Sequence, residues 1–237
     1  MAVRIHGRTA VPRRRVLLPG WVLRSAMAIS GALMALFVLV HMVGNLKLLA
    51  GRTQMDAYAQ WLREVGEPAL PHGSVLWALR VVLLLCLLVH VLAALVLWRR
   101  GVVTGTPGTR VVRPQAWGAR LMMPTGVLIL AFVVLHLLDL TLGWGVQSPH
   151  FRHPDPDVHA AANVVGSLGR PVMALLYLVV LVALAVHLSH GVHLAWQDLG
   201  GAAPRSRGVA RVVAHVVAVA VLVGDGAVVV ASWAGVV

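Results

Sequence analysis

Five apolar runs, at about 26–48, 75–98, 121–143, 171–194 and 211–234, leave this chain few ways to fold. Each is unbroken over ~20 residues, the length an α-helix needs to cross the hydrocarbon core of a bilayer. Backbone N–H and C=O groups in lipid must be satisfied internally, so only helices or closed barrels span. Strand-like alternation is absent, which excludes a barrel. With 59% of its 237 residues hydrophobic and 12% charged, the chain is too apolar for a soluble domain of its length. The predicted fold is all-α: a polytopic membrane protein with a basic arm over 1–25 and a five-helix transmembrane domain over 26–237.

Orientation follows from where lysine and arginine fall. The arm and the loops around Arg99–Arg120 and Arg205–Arg211 hold 14 of the 20. Lys47, Arg52, Arg63, Arg80, Arg152 and Arg170 lie on the other side. The N-terminus is therefore expected in the cytoplasm and the C-terminus outside a cell (plasma) membrane. The arm leads into a full-length span without an A-x-A-type site, so it reads as retained rather than as a signal peptide. The net charge of +12, dispersed over short loops, marks topology and lipid headgroups and argues against nucleic acid. Cys86 is the one cysteine, which excludes disulfides, C-x-x-C-H haem attachment and a Cys-ligated cluster made by this chain alone.

Ionisable side chains at membrane depth are costly and usually functional. His41, His90, His136 and His187 each lie about 15 or 16 residues into one of the first four spans. At the helical rise that is ~22 Å along a ~30 Å path. Successive helices run oppositely, so His41 and His136 meet near the outer face, His90 and His187 near the inner. Two facing imidazoles in each of two layers of a four-helix bundle is the arrangement that holds two six-coordinate haems. Gly44 and Gly191 share a helix face with His41 and His187 and leave room for a flat porphyrin, although close helix packing uses glycine equally. His190 is the alternative in span four, and His193 reads as interfacial.

The strings "VHMVGNLKLLAG", "LHLLDLTLG" and "VHLSHGVHLAWQDLG", with one histidine in each of four consecutive spans, resemble the five-helix dihaem cytochrome b subunit of succinate dehydrogenases and fumarate reductases. The resemblance runs from about Met27 to Val237. It implies that His41 and His136 ligate the outer of two b haems and His90 and His187 the inner. The His187–Gly191 spacing matches the family pattern at the fourth ligand. It also implies flavoprotein and iron–sulfur partner subunits at the inner face, electron exchange with menaquinone or ubiquinone, and a place in the respiratory chain. Some dihaem members carry a carboxylate two positions before the fourth ligand, where this chain has Ala185, which puts a proton path through that group in doubt.

The loops, about 26 residues at most, hold no domain able to oxidise a polar substrate. The chain is expected to be the quinone-reactive electron-transfer subunit and not to act on succinate by itself. In the first outer loop, Met55, Tyr58, Trp61, Leu62 and Val65 recur at helical spacing and predict a short amphipathic helix on the membrane surface. Glu64 and Glu67 follow on it. Glu64 is the candidate for proton exchange with quinone, a choice the resemblance favours. The expected electron path runs from an iron–sulfur centre to the inner haem, the outer haem and quinone, and the complex has scope for higher oligomers.

Other polar groups draw weaker expectations. Asp139 sits one turn past His136, for a propionate, a quinone or the headgroups. Asp225 lies mid-span in helix five, far from any obvious partner, and His215 reads as interfacial. The run "PHFRHPDPDVH", with His150, His153, Asp155, Asp157 and His159, reads as an exposed loop before a metal site. Two rival readings remain: a dihaem cytochrome of a hydrogenase or formate dehydrogenase, and a cofactor-free proton-coupled transporter. The second is expected to show internal repeats or broken helices.

Overall fold

The computed structural model describes residues 18–104, 116–153, 157–201 and 203–237. Most of the basic arm, part of the second basic loop and Asp155 lie outside the described residues. Among the described residues seven α-helices follow in order: α1 Gly20–Leu46, α2 Arg52–Glu64, α3 Ser74–Thr104, α4 Ala116–Leu137, α5 Ala160–Leu168, α6 Pro171–Asp198 and α7 Pro204–Trp233. Five of them are long and apolar enough to cross a membrane. All but α6 begin before the expected spans and α3 and α6 end beyond them, whereas α1, α4 and α7 end before the expected bounds.

Tryptophans mark the two ends. Trp21, Trp98 and Trp196 are exposed at one end of the bundle, and Trp61, Trp77, Trp144 and Trp233 at the other. Two such belts are where indole rings prefer to sit at bilayer interfaces. Between them the outward surface is leucine and valine.

Helix α1 packs against α3, α6 and α7, and α4 packs against α6. The most extensive interface joins α6 to α7. Ala210, Ala214, Ala218 and Val221 are buried along α7, and their small side chains let the two helices approach closely. Among the described residues, α3 has no comparable interface with α4 or α6, and α1 has none with α4. The first four spans therefore form an open arc, α3–α1–α6–α4, with α7 buttressing its middle.

The amphipathic helix expected in the first loop is α2, and it lies at the end opposite Gly20. Met55 is buried, while Trp61 stays exposed and stacks on Tyr58 with ring centres 5.8 Å apart. Helix α5, which begins just after the run read as an exposed loop, has no counterpart among the expected helices. Its Ala161, Asn163, Ser167 and Leu168 are buried. Asp56 of α2 accepts the Ala161 N–H at 2.9 Å, capping the first turn of α5 and fastening the two short helices together.

Candidate functional site

Both pairs of facing histidines span the diagonals of the arc. The rings of His41 on α1 and His136 on α4 have centres 5.9 Å apart, at an interplanar angle of 87°. Those of His90 on α3 and His187 on α6 are 6.4 Å apart, at 61°. Neither pair joins helices that otherwise pack together, so each histidine faces its partner across the interior of the arc.

The two pairs lie towards opposite ends. His90 meets the carbonyl of Met27 in the second turn of α1, and His136 meets Tyr177 in the second turn of α6. Helices α1 and α6 begin at opposite ends of the bundle, which sets the layers apart.

Hydrogen bonds decide which ring nitrogen each imidazole offers. His90 Nδ1 lies 3.1 Å from the Met27 carbonyl oxygen, and a carbonyl only accepts, so Nδ1–H donates. At His187, Nδ1 lies 3.1 Å from Thr125 Oγ1. That hydroxyl already donates to the Leu121 carbonyl at 2.6 Å, so it accepts from Nδ1–H. His136 Nδ1 lies 3.2 Å from the Tyr177 hydroxyl. In all three the remaining nitrogen, Nε2, keeps its lone pair. Fixing one ring N–H on a carbonyl, hydroxyl or carboxylate is how proteins orient metal-binding histidines. His41 differs: its ring stacks on Phe37 at 5.4 Å and, among the described residues, takes no hydrogen bond.

These residues fit haem. Two metal–nitrogen bonds of about 2 Å, with about 1 Å from each nitrogen to its ring centre, place coaxial imidazoles roughly 6 Å apart. Both observed separations agree. His41, His136, His90 and His187 would be the iron ligands.

The two glycines expected to leave room for a porphyrin have side chains of neighbouring helices against them. Gly44 lies under the Tyr58 ring of α2, where a Cβ would come within 2.6 Å of Cε1. Gly191 faces Met122 across the α4–α6 interface. The glycines beside the paired histidines are Gly31 and Gly126: a Cβ on Gly31 would stand 3.0 Å from His90 Cε1, and one on Gly126 3.4 Å from His187 Cε1. They belong to the neighbouring helices, α1 and α4, so no spacing within a span announces them. His190 does not face His90. It packs over Gly118 of α4, with its ring 5.7 Å from that of His193. Glu64 is exposed at the end of α2 and accepts from Gln60 at 2.6 Å, while Glu67 pairs with His72 at 2.8 Å.

No protein-family model, curated protein or solved structure matches this chain.

The two acidic groups left open by the sequence are both engaged. Asp139 is fully buried in the wide turn Leu138–Leu142 that ends α4. It pairs with Arg170 at 2.8 Å and accepts from Ser167 and Tyr177. Asp225 corrects the expectation of a carboxylate far from any partner. Asn45 Nδ2 donates to it at 2.9 Å, and it lies close enough to His41 to interact electrostatically. The expectation failed because α7 packs directly on α1, the helix that carries Asn45. Tyr177, Thr125 and Met27 were missed altogether, since a tyrosine, a threonine and a backbone carbonyl in apolar runs carry no distinctive spacing.

Proposed function

We propose that this chain is a dihaem cytochrome b membrane subunit that exchanges electrons with quinone. The observation that carries the reading is the two diagonal histidine pairs, each spaced for an iron, with Nδ1–H anchored on three of the four rings. A proton-relay transporter has no need of two histidine pairs, each set across a diagonal with ring centres 5.9 and 6.4 Å apart. When bound, haem supplies a reversible one-electron couple in each layer.

The chain's own residues do the rest. Met27, Thr125 and Tyr177 hold the imidazoles in one tautomer, and Gly31 and Gly126 keep the flanking helix surfaces clear. Helix α2 covers the end of the bundle nearest His41 and His136. Quinone reduction takes up two electrons and two protons, and exposed Glu64 at the end of α2 is the candidate proton donor. Within this reading the specific complex is a succinate:quinone oxidoreductase, in which flavoprotein and iron–sulfur subunits dock at the cytoplasmic end. Support for that finer assignment comes from the ordered likeness of the four histidine-bearing spans.

A visible spectrum and a haem determination on the purified protein test the first part. Sharp b-type bands at two haems per chain are expected, and a colourless protein refutes it. Co-purification with flavin and iron–sulfur subunits tests the second, and a hydrogenase or formate dehydrogenase partner in their place refutes it.

A further inference from the structure

We propose that Tyr177 is a positioning residue that makes the two haem sites electronically unequal, by linking His136 to the buried carboxylate of Asp139. The inference rests on the dihaem reading above. Arg170 is pinned on several sides: its guanidinium donates to the Val146 carbonyl at 2.8 Å and the Gln147 carbonyl at 3.3 Å as well as to Asp139. Asp139 beside it therefore acts as a carboxylate, an acceptor only. The single hydroxyl hydrogen of Tyr177 goes to Asp139 Oδ2 at 3.3 Å. Its oxygen lone pairs then face His136 Nδ1 at 3.2 Å, and the ring N–H must donate.

The result is a directed chain from imidazole to phenol to carboxylate, in surroundings where hydrogen bonds polarise one another. Negative charge at its far end raises the electron density of the His136 ring. A more basic ligand favours the oxidised metal. Among the described residues the other layer has no counterpart, because His90 ends on a backbone carbonyl and His187 on a threonine hydroxyl. Asymmetry between the layers is thus built from side chains on α4, α5 and α6 and their connections.

Redox titration of the two b-type couples in the purified protein, or in its complex, tests this. Tyr177→Phe removes the hydroxyl, keeps the ring against Phe132 and leaves Asp139 with Ser167 and Arg170. One couple is expected to move positive by about tenfold in its reduction equilibrium, ~59 mV for one electron, with the other unchanged. Ser167→Ala is the second variant. It strips one donor from Asp139, strengthens the carboxylate as an acceptor for Tyr177 and is expected to move the same couple the opposite way. Two unmoved couples, or an equal shift of both, overturn the proposal. If Tyr177→Phe does not accumulate, the Ser167→Ala titration decides: a negative shift in one couple supports the relay and no shift rejects it. A wild-type protein without haem would remove the dihaem reading itself, a failure distinct from that of the relay.

Discussion

The amide of Asn45 donates to the Asp225 carboxylate at 2.9 Å and ties α1 to α7 in the interior of the membrane-spanning region. A carboxylate at that depth is tolerable only with such a partner. Asn45→Leu is expected to destabilise the protein by about 1–3 kcal/mol, since it leaves the acceptor unsatisfied. Asp225→Asn retains a carbonyl oxygen for the same bond and should cost less. Thermal unfolding in detergent ranks the two, and an unchanged melting temperature in Asn45→Leu would show that the bond contributes nothing.

A larger penalty is expected where the charge is fully enclosed. Arg170→Leu strands Asp139, which has no exposed surface. Breaking one partner of a buried pair costs roughly 3–5 kcal/mol, so this variant should accumulate poorly. The double replacement Asp139→Leu with Arg170→Leu should recover part of the loss. Expression level and melting temperature report it, and a double variant worse than the single one contradicts the pairing argument.

Haem content separates the neighbouring histidines of α6. Because His187 faces His90 and His190 packs over Gly118, His187→Ala should lose about half of the haem while His190→Ala keeps both. Pyridine haemochrome assays of the two proteins give the answer. The reverse pattern would reassign the fourth ligand.

Glycine replacements probe different elements. Gly31→Val drives a branched side chain into His90 and should deplete one haem. Gly44→Ala instead displaces the Tyr58 ring and with it α2, so haem content should hold while quinone turnover falls. Loss of haem in Gly44→Ala would instead support the haem-packing role its sequence position suggests.

Glu64→Gln removes the proposed proton donor from an exposed position where, among the described residues, the carboxylate accepts from Gln60. Quinone turnover is expected to fall at least tenfold, in line with the usual contribution of a positioned acid or base, with both haem bands intact. Unchanged turnover rejects Glu64 and directs attention to other groups at the α2–α5 end.

The sequence alone determined how many times the chain crosses and how deep each histidine lies. Both quantities are set along the helix axis, by the bilayer's demand for internally paired backbone and by the constant rise per residue. His41, His90, His136 and His187 were legible for that reason, and α2 by its amphipathic spacing. What surrounds each axis is decided by lateral packing, which no single run encodes. Gly31 meets His90, Thr125 meets His187 and Tyr177 meets His136 from neighbouring helices. Asn45 finds Asp225 across 180 positions of chain. Only the tertiary structure brought α7 onto α1, enclosed Asp139 with Arg170 and folded α5, because those contacts depend on which helix faces which.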